Sequence, residues 1–283
     1  MPEDPSESAE FGKNPYVEDG GPVERPSYVL FLDVLGFSNA IRTATSTDAR
    51  LGLIKSIRAV LDRASDLVAD DGAVLYQSPQ ASFFAKTFSD NIVIGFPVNG
   101  DHDDEGLLGS ALEAAGSFQL EFLRRGFFTR GAIAFGPYYA DRDMAFGIPL
   151  LEAVEGEKDA DYTRIILLPS VVAKVRGFLE SYDGVDGTPE ASYIYHDPDG
   201  KYYVNYLGIA INDREVTSPE AEYWIDLHRE RVLAAQSKFA HDAKIARKFA
   251  WARGYHDSFC DLEGVRAELK CPPIHRRITA AML

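Results

Sequence analysis

Tyr28-Val29-Leu30-Phe31-Leu32-Asp33-Val34-Leu35 is the stretch on which the fold turns. Every residue but one is apolar or aromatic, with no alternation of polar and apolar positions. Such a run reads as a strand buried on both faces, hence a central strand of a sheet. Gly36 closes it. The exception is Asp33, near the strand's end. A carboxylate in such surroundings is costly unless it is paired, protonated or bound to a cation.

Working outward, Thr47 to Ala69 carries Leu51, Ile54, Ile57, Val60, Leu61 and Leu67 at helical spacing, with Ser46 or Thr47 placed to cap it. Ala81 to Phe88 and Asn91 to Phe96 read as two strands joined at Ser89-Asp90, as in a tight hairpin. After the acidic loop 101–105, Gly106 to Gly126 reads as a second amphipathic helix. Phe127 to Phe135 reads as a strand broken by Gly131, followed by a loop over Gly136 to Asp143 and a short helix from Pro149 to Glu155. Thr163 to Leu168 is a strand and Pro169 to Leu179 a helix. Ser192 to His196 and Tyr202 to Ile211 form a hairpin around Asp197-Pro198-Asp199-Gly200, a strong turn signal. Pro219 to Phe259 is one long helix or two.

This order predicts an α+β fold: a ferredoxin-like, palm-type antiparallel sheet with helices on one face and a C-terminal helical extension. Three segments follow. Residues 1–25 are acidic, rich in Pro and Gly and without apolar periodicity, and read as a disordered leader. Residues 26–212 read as the main folded domain, and 213–283 as a helical extension packed on it.

Composition narrows the function. Of 283 residues, 46% are apolar, so a substantial core can be buried. Lys and Arg number 29 against 44 Asp and Glu, a net charge of -15. That argues against a nucleic-acid-coating surface, which needs a basic face. It also disfavours a polymerase-like palm on nucleic acid. No apolar run reaches the ~18 residues of a membrane span, and no apolar signal segment opens the chain. Cys260 and Cys271 make neither a zinc site nor a disulfide framework. The expectation is a cytoplasmic protein with no nucleic-acid or membrane partner. No P-loop, Rossmann glycine pattern, G-x-S-x-G or H-E-x-x-H is present.

Asp33 at a strand end and Asp90 at a hairpin tip fall side by side in a palm sheet. Neighbouring carboxylates repel, and divalent cations relieve that repulsion. Two cations there hold a triphosphate, activate a hydroxyl and stabilise a leaving pyrophosphate. Gly36, Phe37 and Ser38 offer backbone N–H groups to phosphate oxygens at a strand-to-helix junction. The more ordinary readings are a strand-end cap for Asp33, turn chemistry for Asp90 and a plain helix start for Gly36.

Phe31-Leu32-Asp33-Val34-Leu35-Gly36-Phe37 and Lys86-Thr87-Phe88-Ser89-Asp90 resemble the two metal-binding motifs of class III nucleotide cyclases, and Thr129-Arg130-Gly131-Ala132-Ile133-Ala134-Phe135-Gly136 resembles their later strand. With Arg164-Ile165, Leu168-Pro169-Ser170 and the terminal 249–257 segment, the wording is closer to the Pycsar pyrimidine cyclases of bacterial antiphage defence. The resemblance implies a class III cyclase-type fold and conversion of UTP to 3′,5′-cyclic UMP and pyrophosphate, with cytidylate cyclase as the alternative. It implies two Mn²⁺ or Mg²⁺ ions on Asp33, Asp90 and the Val34 carbonyl. It also implies a homodimer with interfacial sites and a product that acts on a separate effector protein.

Purine cyclases of this class carry an Asn and an Arg on the helix after Gly147, where this chain has Leu151 and Glu155. That weakens a purine reading and leaves the transition-state cation unassigned: Arg130 is the first substitute, and pairing with a structural carboxylate is its equal alternative. Lys86 falls where purine cyclases place a base-selecting Lys. Seven basic residues between Arg229 and Arg253 face only Glu230 and Asp242 in the same span. They line a triphosphate pocket, meet a partner's acidic surface or form a solvated face. A catalytically silent nucleotide sensor or scaffold of the same fold is the alternative to an enzyme.

Overall fold

A computed structural model describes residues 14–74, 83–88, 91–98, 104–181, 192–211, 218–264 and 276–277. The long central strand is β3 (Arg25–Val34), preceded by the short pair β1 (Val17–Glu18) and β2 (Gly21–Pro22). Helices α1 (Phe37–Thr43) and α2 (Thr47–Val74) lead to β4 (Phe84–Phe88) and β5 (Asn91–Pro97). Then come α3 (Asp104–Arg124), β6 (Thr129–Ala140), β7 (Ala145–Gly147), α4 (Ile148–Ala160), β8 (Ile165–Leu167) and α5 (Pro169–Ser181). The chain continues through β9 (Ile194–His196), β10 (Tyr202–Val204), α6 (Tyr206–Ile211), α7 (Pro219–Lys238), α8 (Ala243–Leu262) and β11 (Arg276–Arg277).

The sheet runs β11-β9-β10-β8-β6-β3-β5-β4, with β7 on β6. Its heart, β6-β3-β5-β4, is antiparallel throughout and has the order of a βαββαβ ferredoxin-like unit. The expected α+β, ferredoxin-like class is therefore what the chain adopts. β8 adds to β6 in parallel after the β7–α4 crossover.

Alternation along β3 divides the core. Tyr28, Leu30, Leu32 and Val34 pack with α2, α3 and α5 in one buried cluster. Val29 and Phe31 point to the other face. Helices were expected on one face only, but α4 lies on the second, over β6 and β3. Its small residues allow this: a Cβ on Gly156 would come within 2.8 Å of the Ala132 Cβ, and Ala153 and Ala160 are fully buried. Helix α8 covers the same side further along, through Trp251 and Tyr255 against Tyr203.

Several boundaries differ from expectation. Residues 14–25 are not a loose leader. Asp19 and Gly20, both at positive φ, form a two-residue turn between β1 and β2. Tyr16 is fully buried, donates to the Ser27 hydroxyl at 2.9 Å and meets Tyr138 edge-on at 5.3 Å. Residues 1–13 lie outside the described residues. Strand β6 is unbroken at Gly131 and continues through the expected loop to Ala140, so Tyr138 is core and not loop. Tyr202–Ile211 is not one strand: Asn205 ends β10 and caps α6, its Oδ1 accepting from Gly208 N at 3.2 Å. The C-terminal stretch is two helices, the second capped by Asp242. Among the described residues no helix is long and apolar enough to cross a membrane.

A fully buried arginine ties the C-terminal half together. Arg164 pairs with Asp197 and Asp199 of the β9–β10 turn and donates to Ala160 O at 3.0 Å. Trp251 of α8 donates to the same Asp197 carboxylate at 2.6 Å.

Candidate active site

The end of β3 sets the site. Asp33 lies opposite Arg130 of β6 on one side and Asn91 of β5 on the other. Paired residues of antiparallel strands share a face, so Asp33, Arg130 and Asn91 stand together on the α4 side of the sheet. Arg130 Nε reaches Asp33 Oδ2 at 3.2 Å and also pairs with Glu157, which α4 lowers onto the sheet. The Asp33 and Glu157 carboxyls are themselves in hydrogen-bond contact.

Electrostatics follow from burial. Glu157 is 7% exposed, and burial pushes its carboxyl above the usual range despite the nearby Arg130 guanidinium; the Asp33 charge adds to the rise. Lys248 of α8 enters the same field. Burial, reinforced by Arg130, pulls its ammonium below the ordinary lysine value. Lys248 donates to the Asp161 carbonyl just past the end of α4, and Arg247 bonds the Asp161 carboxylate at 2.7 Å. Cations at a helix C-terminus oppose its dipole, so α8 is fastened to α4 beside the cluster.

Asp33 and Arg130 are brought together. Asp90 lies outside the described residues; Asn91, its successor in the chain, is the residue opposite Asp33. The Val34 side chain is buried on the opposite face. Gly36 has φ 77, a left-handed conformation natural to glycine, and immediately precedes α1, which Phe37 and Ser38 open. Lys86 shares the sheet face of Asp33 but stands opposite Val93, which faces Phe31. Its charge acts on Asp141, in the turn after β6.

Sequence reading missed Glu157, and named Lys248 only as one of seven basic residues with no place beside Asp33. The stripe Ala153, Gly156, Glu157 and Ala160 carried the signal, because small residues at helical spacing mark a face that closes on a sheet. Among the described residues no group of three or more His, Cys, Asp or Glu is placed to hold a metal ion.

Beside the cluster, Phe84, Lys86, Asn91 and Val93 leave a half-buried strip of sheet on the α4 side. Leu150 and Ala145 pack at its border. From there Met144, Phe146, Ile148 and Leu151 project outward, 48 to 64% exposed.

No protein-family model matches the chain, and no curated protein matches it. Solved structures similar to it include a class III adenylyl cyclase-like ATP-binding protein from Pseudomonas aeruginosa, at 11% identity and TM-score 0.40 over 52% of this chain. The match spans about a third (34%) of that protein's length. Two more are the adenylyl cyclase CyaB from P. aeruginosa, at 13% identity and TM-score 0.45 over 64% of this chain and 93% of that one, and the catalytic core of a rhodopsin-guanylyl cyclase with converted specificity in complex with ATPαS, at 18% identity and TM-score 0.40 over 64% and 95%. The fold class stands on the chain's own strand order and register.

Proposed function

We propose that the chain is a class III-type nucleotide cyclase that converts a pyrimidine nucleoside triphosphate, UTP foremost, to its 3′,5′-cyclic monophosphate and pyrophosphate. The observation that carries the reading is the register: Asp33 stands between Arg130 and the strand that begins one residue after Asp90. The residues fit divalent cations. Asp33 and Glu157 place two largely buried carboxyls around one guanidinium. Asp33, Asp90 and the Val34 carbonyl would hold Mn²⁺ or Mg²⁺. When bound, such ions acidify the 3′-hydroxyl and offset phosphate charge. The chain does the rest. The N–H groups after Gly36 cradle phosphate oxygens, and Arg130 supplies a cation to the α-phosphate as charge develops. The 3′-oxygen bonds to the α-phosphorus as the bond to the bridging oxygen of pyrophosphate breaks.

The exposed ridge from Met144 to Leu151, bordering the open strip, supports a homodimer with the site at the interface. Production of a cyclic nucleotide signal for a separate effector in antiphage defence belongs to the same reading. Cytidylate cyclase is the near alternative. A silent nucleotide sensor is the second reading, and the ion pair favours it, since Arg130 already neutralises Asp33.

The test is incubation of purified protein with Mn²⁺ and each of ATP, GTP, CTP and UTP, with mass detection of cyclic products. One pyrimidine product, lost in Asp33→Ala and Asp90→Ala, is the expected result. A purine product refutes the base assignment, and no product from any nucleotide refutes the cyclase.

A further inference from the structure

A groove of about 590 Å³ opens at the C-terminal end of β3, between α1 and α2 on one side and α7 and α8 on the other. Its volume suits a mononucleotide-sized ligand. Three cations line it: Arg125 in the turn after α3, and Arg231 and Lys238 on α7. Among its described lining residues there is no carboxylate, although the chain carries a net charge of -15. Among the described residues no carboxylate pairs with any of the three. Arg231 donates from Nη2 to the Arg124 carbonyl at 3.1 Å. The Nε atoms of both Arg125 and Arg231 are buried without a hydrogen-bond partner. Buried guanidinium donors without partners are unusual and point to an anion.

The remaining wall is aromatic. Phe239 stacks on Phe249 with centroids 5.5 Å apart and planes 13° from parallel, and Phe128 meets Phe249 edge-on at 5.0 Å. Lys238 Nζ lies 5.1 Å over the Phe239 ring. Flat apolar rings beside clustered cations recognise a flat ring joined to phosphate.

We propose that this groove binds a nucleoside phosphate, its base against the Phe239–Phe249 wall and its phosphates on Arg125, Arg231 and Lys238. The site is separate from the Asp33–Arg130–Glu157 cluster, borders it at Gly36 and needs no divalent cation. It assigns a role to the basic α7 face that the cyclase reading leaves unused.

The test is isothermal titration in EDTA with UTP, uridine and inorganic tripolyphosphate. UTP binds, and uridine and tripolyphosphate each bind at least about tenfold more weakly, since each lacks either the charge-assisted bonds or the stacking. Lys238→Glu, at an exposed position, weakens UTP about tenfold with melting temperature unchanged, and Arg231→Glu with Lys238→Glu weakens it about 100-fold or more. UTP affinity indifferent to the charge reversals overturns the proposal, as do tripolyphosphate binding as tightly as UTP and no UTP binding at millimolar concentration. UTP binding in EDTA by a chain that forms no cyclic product keeps this site and sinks the cyclase. Cyclic product without binding in EDTA does the reverse.

Discussion

Arg130→Met keeps the side chain's length and removes the cation that Asp33 and Glu157 share. The three side chains are 25, 19 and 7% exposed, so none is well solvated. Removing one partner of a buried ion pair costs about 3–5 kcal/mol, because the other charge stays behind. Asp33 retains some water contact and Lys248 lies in the same field, so the lower end applies, about 3 kcal/mol at pH 7. At about 2–4 °C per kcal/mol for a chain of this size, the melting temperature falls by ~6–12 °C. Adding Glu157→Gln removes the repulsion, so the double variant regains about 1–3 kcal/mol of coupling. The pH dependence has a definite sign. Without Arg130, Glu157 binds a proton more tightly in the folded chain than in the unfolded one, so stability falls as pH rises through its folded pKa. Arg130→Met is therefore closest to the parent at pH 5 and furthest at pH 8. The assay is urea unfolding of the four proteins of the cycle at both pH values. A loss under about 1 kcal/mol, or no rescue by Glu157→Gln, refutes the reasoning, since either outcome means the carboxyls are not held together by this cation.

Gly131→Ala places a Cβ 2.2 Å from the Phe31 carbonyl oxygen, backbone against backbone, and lowers stability by about 3 kcal/mol or more in thermal melts. Gly36→Ala meets no atom within 4 Å, so only the left-handed strain acts, and the same melts show a loss of about 1–2 kcal/mol. Arg164→Lys gives up the fork between Asp197 and Asp199 and the stacking on Tyr162 at 5.0 Å; urea unfolding shows a loss of about 3 kcal/mol or more. Burial pulls His256 from 6.5 down to about 4, and His228, 3.1 Å away, falls in the same direction. Folded pKa values below the unfolded ones mean that acid favours the unfolded chain. Stability is therefore retained above pH 6.5 and lost towards pH 4, by about 3 kcal/mol for His256 alone, and His256→Asn flattens that slope in unfolding curves.

What could be read from sequence was whatever depended on local pattern. Strand β3 announced itself because both its faces are buried. The β4–β5 hairpin and the Asp197–Gly200 turn did so because their residues fix backbone conformation. The errors arose where tertiary contacts overrode composition. Residues 14–25 looked unfolded because they are acidic, yet Asp19-Gly20 was a hairpin signal, and Tyr16 supplies the buried anchor that acidity hides. Gly136-Pro137 looked like the end of a strand. Pro137 sits opposite Pro26, while β8 and β7 contact β6 only before and after it, so the missing N–H interrupts no ladder.

The site was half legible for a related reason. Asp33 stood out because an acid in an apolar strand is locally anomalous, and Arg130 only as a substitute for the cation missing from the helix after Gly147. Glu157 is ordinary for a helix taken by itself; only the small residues Ala153, Gly156 and Ala160 on its face mark it, by letting the helix sink onto the sheet. The cluster's charge state then follows from packing rather than from any motif. Two carboxyls share one guanidinium where water is scarce, so the site is short of positive charge and Glu157 is inclined to hold a proton. Arg130 holds the place that a cation on Asp33 would take, so with a cation bound there Glu157 would give up its proton and Arg130 would be released towards an anion. If Asp33 and Glu157 serve a divalent cation as proposed, its binding tightens as pH rises, with proton release, a linkage that calorimetry in buffers of different ionisation enthalpy would register directly.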